Sequence, residues 1–521
     1  MGDTFLPLTI PPGVVRLGTV YASKGRWYDS SLVRFVNGIV RPIGGWSLVR
    51  TSAGGDIQAT GKPRGSHTWR KTDSTTWAAT GTQTKLYAYS NGILTDITPA
   101  GLVAGRTDGQ LLTGTGGWGS GWGTSPWGGS AAAGTIQEAD SWQLDNFGEI
   151  LIACLTSDGK IYESTPTTQA TPVTNSPTGC RAVVVTPERF IFALGAASDP
   201  RNVAWCSQGN RTVWTPAVGN SAGSFPLQTS GRLMAGRAGK GETLLWTDSD
   251  LWAAQFIGGP LVYSFQQRGD GCGLMGPNAV ALVEGTAFWM GRGQFWQYNG
   301  SVRPIRCDVL DYVRATLDPN RKAQVHTVTS AQFGEVTWYY PSATQSGHEN
   351  DRYVTYNYRD GFWTIGQLAR AAGNDADVFA QPLLWSTDGH LYSHETGQDR
   401  GGAESYIESG PLELGNGDRT MLVNTLLPDE KVIGQVVATF YGSFTSDGAE
   451  FASQAYTLSS RTDVRVSARY LRVRFAEPAT VGAIYDGTYL HDGTITYGGT
   501  GPGADYRVGP ARLGVVEGGR R

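Results

Sequence analysis

The sequence is poor in charge: Asp, Glu, Lys and Arg make up only 17% of its 521 residues. No run of Lys or Arg is long enough to give a nucleic-acid footprint, so any contact with DNA is expected to be loose. The excess is small and acidic, with 11 Lys and Arg against 14 Asp and Glu in residues 403–521 and 31 against 31 in the rest. Cysteine is also scarce. Cys154, Cys180, Cys206, Cys272 and Cys307 are odd in number and never spaced as CxxC. That pattern suggests neither a zinc site nor a disulfide framework, and it reads as reduced, mostly buried thiols. No apolar run approaches a membrane span, and residues 1–13 lack the basic and apolar regions of a signal peptide. A protein made and kept in a cytosol-like compartment is the expectation.

What the chain has instead is 72 Gly, 25 Pro and 11% aromatic residues, a mixture of turn formers and strand formers. Seven stretches repeat one grammar of strand, tight turn and Trp- or Tyr-bearing strand: 67–99, 141–166, 181–216, 234–258, 278–305, 323–366 and 378–397. In KLYAYSNG, Leu86 and Ala88 fall on one face and Tyr87 and Tyr89 on the other, and Asn91-Gly92 supplies a hairpin turn. Asn299-Gly300 ends QFWQYNG in the same way. Such a unit cannot bury both faces alone and must lean on neighbours, which predicts an all-β, irregular β-propeller of six or seven blades.

Residues 1–66 read as an N-terminal arm and closing hairpin, with 32–49, turning at Asn37-Gly38, able to pair with the last unit. Residues 67–400 read as the propeller, and 403–521 as a C-terminal β-sandwich or barrel-like domain. Two segments break the pattern. Residues 308–322 place Val309, Leu310, Val313 and Leu317 at helical spacing before Pro319, predicting a helix. Within the loop 101–134, the Gly-rich stretch 114–129 carries Trp118, Trp122 and Trp127, three indoles that need a partner to bury them. In ARYLRVRF, Leu471, Val473 and Phe475 share the core face, and Tyr470, Arg472 and Arg474 the other. Trp118, Trp122, Trp127, Arg472 and Arg474 are the candidate subunit-interface residues, although exposed alternate arginines more often pair with neighbouring carboxylates.

No catalytic, cofactor or metal site is expected. GRAGKGET, residues 236–243, resembles a phosphate loop, but Gly241 follows Lys240, Met234 stands where the first Gly belongs, and a strand follows. It reads as a surface turn. His390 and His394 could face one way beside Glu395, yet no third ligand is visible, and they read as polar side chains near a blade edge. Asp158-Gly159 and Asp388-Gly389 lack the order of sialidase turns and read as hairpin turns.

Long stretches are similar to a known family. PPGVVRLGTVYASKGRWYDSSLVRFVNGIVRPIGGW, NRTVWTPAVGNSAGSFPL with LLWTDSDLWAAQFIGGPLVYSF, and DRYVTYNYRDGFWTIG followed by DGHLYSHETG resemble tail hub and nozzle proteins of short-tailed phages, including those called packaged-DNA stabilisation proteins. The resemblance also takes in RYLRVRF and the final GRR, while TYLHDGTITYGGTGPGADYR departs from it as a Gly-rich insertion. It implies a homohexameric ring in the virion tail, assembled in the host cytoplasm beside an adaptor or connector ring, with fibres or a spike as further partners. The ring would retain the packaged genome and pass double-stranded DNA without sequence specificity. The family offers no catalytic residues. A channel that lets DNA slide is expected to be neutral or acidic, because many phosphate contacts would hold the duplex. The competing class is a carbohydrate-binding or glycan-cleaving propeller, separable by a glycan array or a sugar-release assay.

Overall fold

The computed structural model describes residues 4–112, 135–413, 418–428, 436–445, 448–477 and 506–517. Seven antiparallel four-stranded sheets follow one another along the chain, at 63–96, 142–172, 182–226, 233–270, 280–305 and 326–367, and then 370–394 with Trp46–Leu48 as its outermost strand. These are blades 1 to 7 of a β-propeller. Each of the seven sequence repeats falls largely within one of them. The inner strand of blade 7, Arg370–Asn374, returns against that of blade 1, Pro63–Arg70, and closes the ring.

Period-two alternation works here by burying both sides of a blade. Leu86 and Ala88 join a core with Leu151 and Leu155 of blade 2, while Tyr87 and Tyr89 join a core with Trp385 of blade 7. Asn91 and Gly92 both have positive φ, 48° and 76°, as the tight hairpin between them requires. Tryptophans stitch blades together as well as filling space. The Trp142 indole of blade 2 donates to Thr82 O of blade 1 at 2.7 Å, and Trp338 of blade 6 donates to Ala279 O at the edge of blade 5 at 3.1 Å. Each bond satisfies a buried N–H that would otherwise be orphaned.

The closing strand is shorter than the hairpin expected to close the ring. Trp46–Leu48 alone pairs with Leu391–His394, in the register His394 with Trp46 and Tyr392 with Leu48. The hairpin Val33–Val36/Ile39–Pro42 forms a separate two-stranded sheet. It is fastened by buried Arg34, which donates to Glu395 at 2.6 and 3.1 Å and lies 3.2 Å from Glu335.

Both chain ends build the second unit, a β-sandwich. One sheet runs Thr4–Leu8, Ala511–Glu517, Met421–Leu427, Thr462–Ala468; the other runs Trp27–Ser31, Tyr406–Ser409, Tyr470–Ala476, Val437–Ser443, Phe451–Ala452. Segment 1–66 therefore divides three ways, between sandwich, hairpin and propeller closure, and does not stand as one arm. Leu471, Val473 and Phe475 enter the sandwich core with Phe440 and Val466. Trp27–Ser31 also lies along the outer strand of blade 6, where Ser30 Oγ donates to Ile365 O at 2.8 Å, so the two units share a continuous core.

The expected helix is present but shorter, Leu310–Thr316, followed by a 3-10 turn at Pro319–Gln324. Pro319 ends it as predicted. No helix among the described residues is long and apolar enough to cross a membrane.

Candidate functional site

The inner strands surround an axis that is plugged at one end. Near their starting ends, Gln143 Nε2 donates to Asn278 Oδ1 at 2.8 Å, and Asn278 Nδ2 donates to Arg64 O at 2.9 Å. Arg64 grips Glu349 through two bonds of 2.7 and 2.9 Å. All four residues are buried. Paired and hydrogen-bonded in this way, such a polar layer is stable in the interior.

Beyond the plug lies an axial well of about 460 Å3, whose wall includes His67, Asp145, Arg237, His326, Asp375 and Asp377. Asp375 and Asp377 follow the end of the inner strand Arg370–Asn374, which puts them at the opposite end from the plug. Arg237 donates to Gln143 Oε1 at 3.2 Å and to Gly236 O at 2.8 Å, and no carboxylate lies within 4 Å of it among the described residues. Burial depresses its pKa, an effect that Asp145 partly offsets. His326 Nε2 lies 2.9 Å from Gly373 N and 3.2 Å from Gly373 O, and Nδ1 has no hydrogen-bond partner among the described residues. Burial lowers its pKa to about 4, so the ring is neutral near pH 7.

Trp118, Trp122 and Trp127 lie outside the described residues. Gln110–Leu112 pairs antiparallel with Thr135–Gln137. This hairpin base is pinned to the plugged end by Asp108 to Arg321 at 2.6 Å, Glu138 to Arg232 at 2.5 Å, and Arg64 to Thr107 O at 2.7 Å. The described flanks of the 101–134 loop, up to Leu112 and from Thr135, therefore lie at the plugged face.

Arg472 and Arg474 are engaged within the chain. Arg472 pairs with Glu408 and Glu450, and Arg474 pairs with Glu404 while lying 3.6 Å over the Tyr406 ring. His390 and His394 do not meet. His390 sits in a turn 3.1 Å from Asp388, whereas His394 is buried at the ring closure, stacked on Trp46 at 5.3 Å and accepting from Arg370 Nε at 2.8 Å. Glu395 turns away to Arg34. Residues 239–242 of GRAGKGET form the turn between two strands of blade 4, with Gly239 N–H donating to Glu242 O. In the Asp158-Gly159 and Asp388-Gly389 turns only the glycines have positive φ. All five cysteines are unpaired and buried, and burial pushes each thiol above its ordinary pKa.

One surface feature escaped the sequence reading. The hairpin Asp250–Gly258/Val262–Asp270 forms the outer half of blade 4, and its nine-residue edge strand is longer than the outermost strand of any other blade. At its tip Ile257 is 52% and Leu261 71% exposed. Phe256 and Phe225, both exposed, add to this apolar surface; buried Tyr263 and half-buried Phe265 link them beneath it, with Phe225 stacked on Phe265 at 4.9 Å. An apolar tip beside a long open edge is what a monomer avoids and an assembling subunit uses.

No family model matches the sequence, and no curated protein does. Among solved structures the chain is similar to a streptogramin B lyase, at 9% identity and a TM-score of 0.40, covering 67% of this chain and 96% of that one. It is also similar to virginiamycin B lyase from Staphylococcus aureus, at 8% identity and TM-score 0.39, covering 64% and 94%. The Pan2 WD40 domain of Neurospora crassa matches at 9% identity and TM-score 0.37, covering 68% and 94%. At these identities the likeness concerns the fold alone. Two of these three neighbours are named as lyases.

Proposed function

We propose that this chain is a structural, non-catalytic virion protein, the subunit of a hexameric tail hub or nozzle ring that forms the DNA exit channel and helps retain the packaged genome. The observation that carries the reading is the exposed apolar hairpin of blade 4. It lies within LLWTDSDLWAAQFIGGPLVYSF, one of the stretches that resemble the hub and nozzle proteins. In a ring each subunit offers one surface to the complementary surface of the next, and a protruding apolar tip suits such a head-to-tail contact. The plugged axis adds a constraint. A well of about 460 Å3 is the size of a small-molecule site, so a DNA conduit has to lie between subunits. On this reading the chain sits in the virion tail, assembled in the host cytoplasm, against an adaptor ring, with fibres or a spike as further partners.

Light scattering and negative-stain microscopy of the purified protein test this. The wild type is expected to form six-fold rings, and Ile257→Ser with Leu261→Ser to weaken subunit association about a hundredfold while leaving the circular dichroism spectrum unchanged. A wild type that stays monomeric at all concentrations and in the presence of tail components defeats the proposal.

The three tryptophans and the two arginines enter the same proposal as subunit contacts. Replacing Trp118, Trp122 and Trp127 together by Ser is expected to leave the monomer folded and to reduce incorporation into tails sharply. Normal incorporation of the triple variant, scored by infectivity and tail composition, removes these residues from the interface.

A further inference from the structure

We propose that the axial well of the propeller binds a small zwitterion of the amino-acid class, with its carboxylate on the Arg237 guanidinium and its ammonium group toward Asp145 and Asp375. The inference does not depend on the ring assembly proposed above. It rests on how differently this chain treats its interior arginines. Arg34 has Glu335 and Glu395, Arg64 has Glu349, Arg400 has Glu477 and Arg472 has Glu408. Arg370, which has no carboxylate, is sheathed by the rings of Tyr392 at 4.4 Å and Trp46 at 5.1 Å. Arg237 has neither a carboxylate nor a ring over it among the described residues, and it faces a cavity. A half-buried guanidinium with only an amide and a carbonyl oxygen as partners is poorly compensated, and its planar fork matches a carboxylate.

The wall beside it contains further unsatisfied polar atoms. His326 and Thr327 are both more than nine-tenths buried and line the same well, and His326 Nδ1 and Thr327 Oγ1 lack hydrogen-bond partners.

The rest of the well has the opposite sign. Asp145 accepts from Val185 N–H at 2.8 Å, Asp375 from Ala331 N–H at 2.8 Å and Thr329 Oγ at 3.3 Å, and Asp377 from Thr68 Oγ at 3.3 Å. These bonds orient the three carboxylates, and none of the three has a Lys or Arg partner among the described residues; His67 lies 3.9 Å from Asp145. A simple anion would meet these acids on the way to Arg237, and a simple cation would gain nothing from Arg237. A molecule carrying both charges satisfies both ends, and the cavity is of the size that holds a small ligand.

Calorimetric titration and thermal-shift measurements on the full chain test this, using the proteinogenic amino acids as a panel, with acetate and methylamine as the separate halves. At least one amino acid is expected to bind saturably and raise the melting temperature, with acetate and methylamine each much weaker. Arg237→Gln and Asp145→Asn are each expected to weaken binding roughly ten- to a hundredfold. If Arg237→Gln does not fold, Asp375→Asn at the open end serves in its place. Absence of any saturable binding across the panel overturns the proposal. So does acetate binding as tightly as the best amino acid, or affinity unchanged in folded Arg237→Gln.

Discussion

Trp46→Ala is expected to lower the stability of the whole chain by about 3–5 kcal/mol, the usual cost of removing a large aromatic side chain from a core. Trp46 lies on the three-residue strand that closes the ring and is 9% exposed. Its ring stacks on His394 and covers Arg370, so its loss opens a cavity and uncovers a guanidinium that has no carboxylate partner. The seam leaves little room for repair. A Cβ at Gly45 would sit 2.3 Å from Asp399 O, so the chain entering the closing strand cannot shift to fill the space. Removing the N-terminal segment altogether has a larger effect, because that segment also supplies Thr4–Leu8 and Trp27–Ser31 to the two sheets of the sandwich. A chain beginning at Pro63 is expected to lose cooperative folding in both units. Urea unfolding followed by tryptophan fluorescence and circular dichroism checks both outcomes. A shortened chain that melts like the full one would show that the closing strand and the two N-terminal strands are dispensable.

The blades were legible because each repeats strand, turn and aromatic strand locally, as at Leu86–Ser90 with its Asn91-Gly92 turn. Outermost strands such as Thr171–Pro172 and Ile93–Asp96 were not, since they are short, exposed and without alternation. Pairing between distant segments was hidden for another reason. Nothing local in TFLPL says that Thr4 will face Val515, because the hydrophobic pattern fixes which side a strand buries and not which partner it finds. The same gap explains the site. Arg237 stood inside a glycine-rich stretch read as a surface turn, and its neighbours were read correctly as such. Its own placement on the inner strand Leu233–Ala238 depends on ring closure among six other blades. His394 was read as an edge residue, and Trp46, which buries it, lies almost 350 positions earlier in the chain. Of the apolar tip, Ile257 reads as ordinary strand and Leu261 falls beyond the repeat at 234–258, because exposure is a property of the assembled blade.

Stability is expected to fall as the pH drops from about 6.5 toward 4, before most ordinary carboxylates protonate. His326 and His394 are both buried, and burial holds both rings below the usual histidine range, with Arg370 beside His394 adding repulsion to any proton there. In the unfolded chain each histidine takes up a proton near pH 6.5; in the folded chain His326 does so only near 4. Between those values the unfolded state holds more protons, so acid favours it. The stability present above pH 6.5 is lost progressively through that window, and for His326 the loss amounts to about 3 kcal/mol. Glu335 and Glu408 act in the opposite direction. Burial raises their carboxyls, so the folded state gains protons there first as the pH falls and recovers part of the loss. Substitution isolates the histidines from these carboxylates. His394→Gln keeps an acceptor for Arg370 Nε, and His326→Asn keeps a small polar group beside Gly373, while neither can take up a proton. Urea unfolding at pH 7.5 and at pH 4.5 is expected to give a double variant less stable than wild type at the higher pH but much less sensitive to the change. Equal pH sensitivity in the wild type and the double variant would mean that the two histidines do not control acid stability, and that the carboxylate network does.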